Sequence, residues 1–163
     1  ESSAASDVYK RQQRTDLYNV DGGWVWLRQY DNDDYEATTS TICGPNGTNK
    51  TLDLDAIKAR YGADFHGYLW PVTAAGGEFY LSVSYQGPGQ NWLYDLIDST
   101  GNVVLAGLGS CNGYYTDTAN PLPDGVFVAR KGFEYGWMDL HGQWVYCQNI
   151  FYSSGDDAEN YYF

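Results

Sequence analysis

Residues 92–98 and 135–140 carry the clearest hydrophobic pattern in the chain. In the first segment Tyr94 and Leu96 alternate with Asp95 and Ile97, and in the second Tyr135 and Trp137 alternate with Gly136 and Met138. A two-residue period sends successive side chains to opposite faces of a strand, so one face of each carries large rings and the other smaller groups. Apolar runs flank each segment. They predict two units of three strands, Phe79–Tyr85, Trp92–Asp98 and Asn102–Ala106, then Val126–Arg130, Tyr135–Leu140 and Gln143–Gln148. A D-x-x-G turn joins the second and third strand of each unit. Asp98 and Asp139 accept hydrogen bonds from the amides that follow, while Gly101 and Gly142 supply a positive φ.

The two units are copies of one another. An offset of 41 residues places Tyr94–Val104 on Tyr135–Val145 with Tyr, Asp, Gly and Val matched, which marks an internal repeat. Upstream, Gly77–Ser82 corresponds to Gly125–Arg130, and the first copy has a longer loop through QGPGQN. Fainter D-x-x-G patterns occur at Asp64–Trp70 and Tyr18–Trp26. One helix is expected near 53–61: Thr51 or Asp53 caps it, Leu54, Ile57 and Tyr61 share a face, and Gly62 stops it. Residues 31–42 read as an acidic loop leading into a threonine-rich strand. The expected fold is all-β, made of tandem antiparallel hairpin or three-stranded units. It divides into a β region with the helix at 13–75, two repeats at 76–148, and the start of a further unit or a truncated tail at 149–163.

The segment Asp124–Val145 resembles a WG repeat, the WG-containing β repeat of bacterial proteins. Gly125, Ala129, Tyr135, Gly136, Asp139, Gly142 and Val145 occupy pattern positions, and Trp137 follows the glycine where the family more often has tryptophan before it. Tyr94–Val104 is a weaker copy because Asp95 replaces the glycine. The resemblance implies a β-hairpin repeat protein, exported or held at the cell surface, that binds a partner and brings no catalytic residues.

The ends and the charge narrow the field. Reverse-translated, Ser2–Gln12 resembles the adapter of a transposase-based sequencing library, so residues 1–12 are expected to be a non-native tail with few contacts. Net charge is −12 with or without that segment, which disfavours nucleic acid as a partner. No apolar run reaches the length of a membrane span.

Candidate chemistry is sparse. Cys43, Cys111 and Cys147 have no metal-ligand spacing with His66 or His141, so no metal or cofactor is expected. Cys111 with Cys147 is the candidate disulfide, three buried thiols being the alternative. Asp31, Asp33, Asp34 and Glu36 form either an irregular calcium site or a solvated loop, since Tyr35 interrupts the EF-hand pattern. AGLGSCNG lacks the third glycine of a nucleotide fingerprint and reads as a turn. Six tryptophans and 16 tyrosines offer either sugar-stacking platforms or repeat cores, and Trp24 and Trp92, beside loops, are the candidates for exposure. The expected function is a non-enzymatic binding module for a protein or a surface glycan. A carbohydrate-binding module of a longer enzyme, or a glycoside hydrolase using an acid pair, are the alternatives.

Overall fold

The computed structural model describes residues 13–20, 23–31, 39–62, 65–112 and 122–149. Twelve strands among them form three sheets of four, and every pairing is antiparallel. The first sheet is β1 (Gln13–Val20), β2 (Trp24–Asp31), β3 (Thr39–Cys43) and β4 (Asn49–Thr51). Helix α1 (Leu54–Tyr61) then leads to the second: β5 (Phe65–Ala75), β6 (Glu78–Gln86), β7 (Trp92–Asp98) and β8 (Val103–Leu108). The third is β9 (Ser110–Asn112), β10 (Val126–Lys131), β11 (Glu134–Asp139) and β12 (Trp144–Asn149).

Alternation along the middle sheet feeds two cores. Phe79, Leu81, Val83 and Ile97 are fully buried in one, with Trp24, Trp26 and Ile42 of the first sheet and Ile57 of α1. Leu96 and Leu108 enter the other, with Phe127, Ala129 and Met138 of the third sheet. A central sheet covered on both faces explains why β7 is apolar on both sides, Leu96 and Ile97 being consecutive and both fully buried.

The two repeats fold alike. Asp98 Oδ1 accepts from the Thr100 and Asn102 amides at 2.9 and 3.0 Å, and Asp139 Oδ1 from the His141 and Gln143 amides at 2.9 Å each. Gly101 and Gly142 stand at φ +86° and +77°. Burial raises the Asp98 carboxyl's affinity for its proton, but the hydrogen bonds from Thr100 and Asn102 outweigh it and hold the group below its ordinary value. The helix also forms as read: Asp53 caps it through Oδ1 to the Ala56 amide at 2.9 Å, and the Gly62 amide closes on the Lys58 carbonyl.

Three local readings change. The units are four-stranded, because β5 and β9 add to the repeats at one edge. β9 has only three residues and β5 contains Pro71, so neither announces itself as a strand. AGLGSCNG does not reverse direction: β8 passes through Gly109 into β9 and so carries the chain from the second sheet to the third. The Gly109 amide donates to the Arg130 carbonyl at 2.8 Å, and a Cβ there would lie 2.7 Å from the Arg130 guanidinium. Residues 65–70 run as β5, so the described part of the faint D-x-x-G pattern, residues 65–67, lies in a strand.

Candidate binding cleft

The two copies differ sharply at one strand position, 95 against 136. Gly136 in the third sheet faces Cys147, and a Cβ on it would run into the Tyr146 carbonyl oxygen, with the Cys147 Cα 2.8 Å away. The matching residue in the second sheet is Asp95. Room for its side chain comes from an additional bulge. Both β7–β8 and β11–β12 slip by one residue near the D-x-x-G turn, at Leu96/Ile97 and Trp137/Met138, but β7–β8 slips again between Tyr94 and Leu96. The second slip puts Gly107, at φ +69°, opposite Asp95, and its amide donates to Asp95 Oδ1 at 2.9 Å. A bulge thus converts a position closed to side chains into a carboxyl pocket.

That carboxyl is 5 % exposed and collects two further donors. The Tyr61 hydroxyl, from the last turn of α1, donates to Oδ2 at 2.8 Å, and the Tyr85 hydroxyl, from β6, to Oδ1 at 3.0 Å. The two rings lie 5.1 Å apart at 35°. Burial first, and then the neighbouring Asp95, disfavours ionisation of both phenols: Tyr85 is pushed up to about 12 and Tyr61 also rises. Each hydroxyl therefore keeps the proton that it donates.

Above the pair opens a cleft of 670 Å³ lined by Arg60, Tyr61, Tyr85, Gln86, Gly87, Pro88 and Gln90. Arg60 is held by its donation to the Gly101 carbonyl at 2.6 Å, a residue of the D-x-x-G turn. The repeat turn, the helix end and the β6–β7 hairpin thus meet at one place. Aromatic rings, two side-chain amides and a guanidinium share that surface, a combination suited to a polar ligand that has an apolar face.

The sequence-predicted site residues fall elsewhere. Trp92 is 43 % exposed at the start of β7, outside the cleft lining. Trp24 is a correction: at 5 % exposure it is a core residue, 5.4 Å from the Phe79 ring, and its six-membered ring fills the space a Cβ would need at Gly44. A tryptophan beside a loop is buried here because the facing glycine admits it. Tyr94 packs on the second core, and Tyr135 is half-buried with its hydroxyl donating to Gln148 at 2.8 Å. Gly125 closes the β10 end of the stack, its amide donating to the Thr73 hydroxyl at 3.0 Å.

The disulfide is also corrected. Cys111 and Cys147 sit in one register row, Cys111–Ala129–Gly136–Cys147, at opposite edges of the third sheet. Three strand spacings make about 14 Å, twice the separation a disulfide spans. Both are free, and Cys111 is buried, which pushes its thiol up. Asp33, Asp34 and Glu36 of the acidic loop, with residues 1–12, lie outside the described residues, as does the side chain of Asp31. Among the described residues no three His, Cys, Asp or Glu gather as metal ligands, and no helix is long and apolar enough to cross a membrane.

Sequence reasoning missed Tyr61, Tyr85 and Arg60 as site residues. The signal was present: Asp95 stands where the other copy has Gly136, and a carboxyl at a strand position requires partners.

The family model for a domain of unknown function, DUF5046, matches residues 4–157. The chain belongs to that family, and the matched span takes in residues 4–12. No curated protein and no solved structure matches it.

Proposed function

We propose that this chain is a non-enzymatic binding module of an exported bacterial protein and that it holds a surface glycan in the tyrosine cleft. The observation that carries the reading is the pinning of Tyr61 and Tyr85 by the buried Asp95. Rings fixed before binding lose little entropy when a ligand arrives. A sugar offers C–H faces to such rings and hydroxyls to Arg60, Gln86 and Gln90, and the cleft volume lies within the roughly 300–1,000 Å³ usual for small-ligand sites. Asp95 is engaged by three donors, which favours a structural carboxyl over half of a hydrolytic acid pair. The same cleft would serve a carbohydrate-binding module within a longer enzyme.

WG-like repeats remain our reading of the second and third sheets, supported by their matched turns. A protein ligand is the second reading. It is favoured by the outer face of the third sheet, where Trp137 and Tyr146, 40 % and 47 % exposed, meet with ring centroids 5.4 Å apart at 50°.

Glycan-array screening with neutral and uronic-acid oligosaccharides tests the proposal. Binding is expected, and Tyr85→Ala and Asp95→Asn are each expected to weaken it about tenfold or more. An array with no signal, or one that both variants leave intact, would overturn it.

A further inference from the structure

Two hairpins of the molecule use the same five-residue turn, and they differ at one informative place. Gly44–Thr48 joins β3 to β4 and Gly87–Asn91 joins β6 to β7, each starting Gly-Pro. The first glycine's amide donates to the fifth residue's carbonyl in both, at 2.6 and 2.9 Å. Both place their third and fourth residues at positive φ: Asn46 and Gly47 at +69° and +74°, Gly89 and Gln90 at +77° and +62°. Glycine accepts that conformation freely and asparagine tolerates it, whereas glutamine is rarely found there.

Gly47 has nothing within 4 Å of a Cβ placed on it, so the fourth position is open to side chains and only the backbone resists them. In the β6–β7 turn that resistance is overridden, and the residue that overrides it lines the cleft. Held strain of this kind concentrates at functional positions.

Resting on the glycan reading of the cleft, we propose that Gln90 is its specificity-determining residue, kept in the left-handed conformation so that its amide reads a pair of adjacent sugar hydroxyls. A primary amide both donates and accepts. It therefore pairs with two neighbouring hydroxyls in one relative orientation and discriminates between epimers that differ at one of them. The turn supplies a rigid base for this, since its position relative to Tyr85 is fixed by the β6–β7 ladder from Tyr85↔Leu93 to Gln86↔Trp92.

The test compares Gln90→Gly, Gln90→Ala and the control Gly47→Gln, measuring melting temperature and binding of cello-, manno-, xylo- and galacto-oligosaccharides. Wild type is expected to rank these sugars. Both Gln90 variants should bind about tenfold more weakly and lose the ranking of epimers. Gln90→Gly should melt at or above the wild-type temperature because it relieves the backbone, Gln90→Ala should not, and Gly47→Gln should melt lower with binding unchanged. If wild type binds and ranks the sugars while Gln90→Ala and Gln90→Gly do the same, the role of Gln90 falls and the cleft reading stands. If wild type binds none of them and no uronic-acid oligosaccharide, both fall.

Discussion

The second and third sheets carry the same repeat, yet it is the second that contributes to the proposed cleft. At matched positions Asp95 gathers Tyr61, Tyr85 and the Gly107 amide, whereas Gly136 leaves no space between β11 and β12 for any side chain. The turn beside it is held constant: the same aspartate cap, the same glycine at positive φ, the same bulge. An added bulge in β8, one Gly-to-Asp difference, the longer β6–β7 loop and the end of α1 set the second unit apart from the third. The comparison teaches that a repeat's departures are where to look for chemistry, because its constancies are already explained by folding.

The largest effect is expected from imposing the second sheet's residue on the third. Gly136→Asp drives a carboxyl into the β12 backbone with no bulge to receive it, and we expect a loss of at least about 3 kcal/mol in chemical denaturation. Stability near wild type would mean that β12 moves aside easily and that the additional bulge is not what admits Asp95.

A smaller contrast separates the covered and open faces. Leu96 is fully buried and its repeat partner Trp137 is 40 % exposed. Leu96→Ala should therefore cost about 2–5 kcal/mol, and Trp137→Ala under about 1 kcal/mol despite removing the larger side chain. Equal losses would show that the outer face of the third sheet is packed in solution.

The gentlest probe is alkaline titration. Tyr85 ionises near pH 12 in the folded chain, against an unfolded value of about 10. The folded state prefers the protonated phenol, so this contribution is complete below pH 10 and is lost as the pH climbs from 10 toward 12. Tyrosinate absorbance should show a late-titrating class that includes Tyr61 and Tyr85. Asp95→Asn should move part of that class to lower pH, because the carboxyl no longer opposes the phenolate.

Much of this was legible in the sequence. The strand alternation, the two D-x-x-G turns at Asp98 and Asp139 and the helix with its Asp53 cap depend on local chemistry, and each forms where it was read. Partners distant in sequence were not legible. Asp95 meets Tyr61 from 34 residues away, and that encounter depends on how α1 lies against β7. Trp24 looked exposed because its burial depends on Gly44 across the sheet, and the disulfide looked plausible because strand order, which sets Cys111 and Cys147 at opposite edges, is not written in spacing. β5 was obscured by its own proline at an edge.

Placing the third sheet's glycine at position 95 and measuring glycan affinity tests the proposed cleft most directly. Isothermal titration of the best array oligosaccharide against Asp95→Gly and Trp137→Ala, each checked for wild-type circular dichroism, is the decisive comparison. We predict that Asp95→Gly loses affinity by tenfold or more, corresponding to about 1.4 kcal/mol, while Trp137→Ala binds as wild type does. Full affinity in Asp95→Gly together with loss in Trp137→Ala would contradict the assignment and move the site to the outer face of the third sheet.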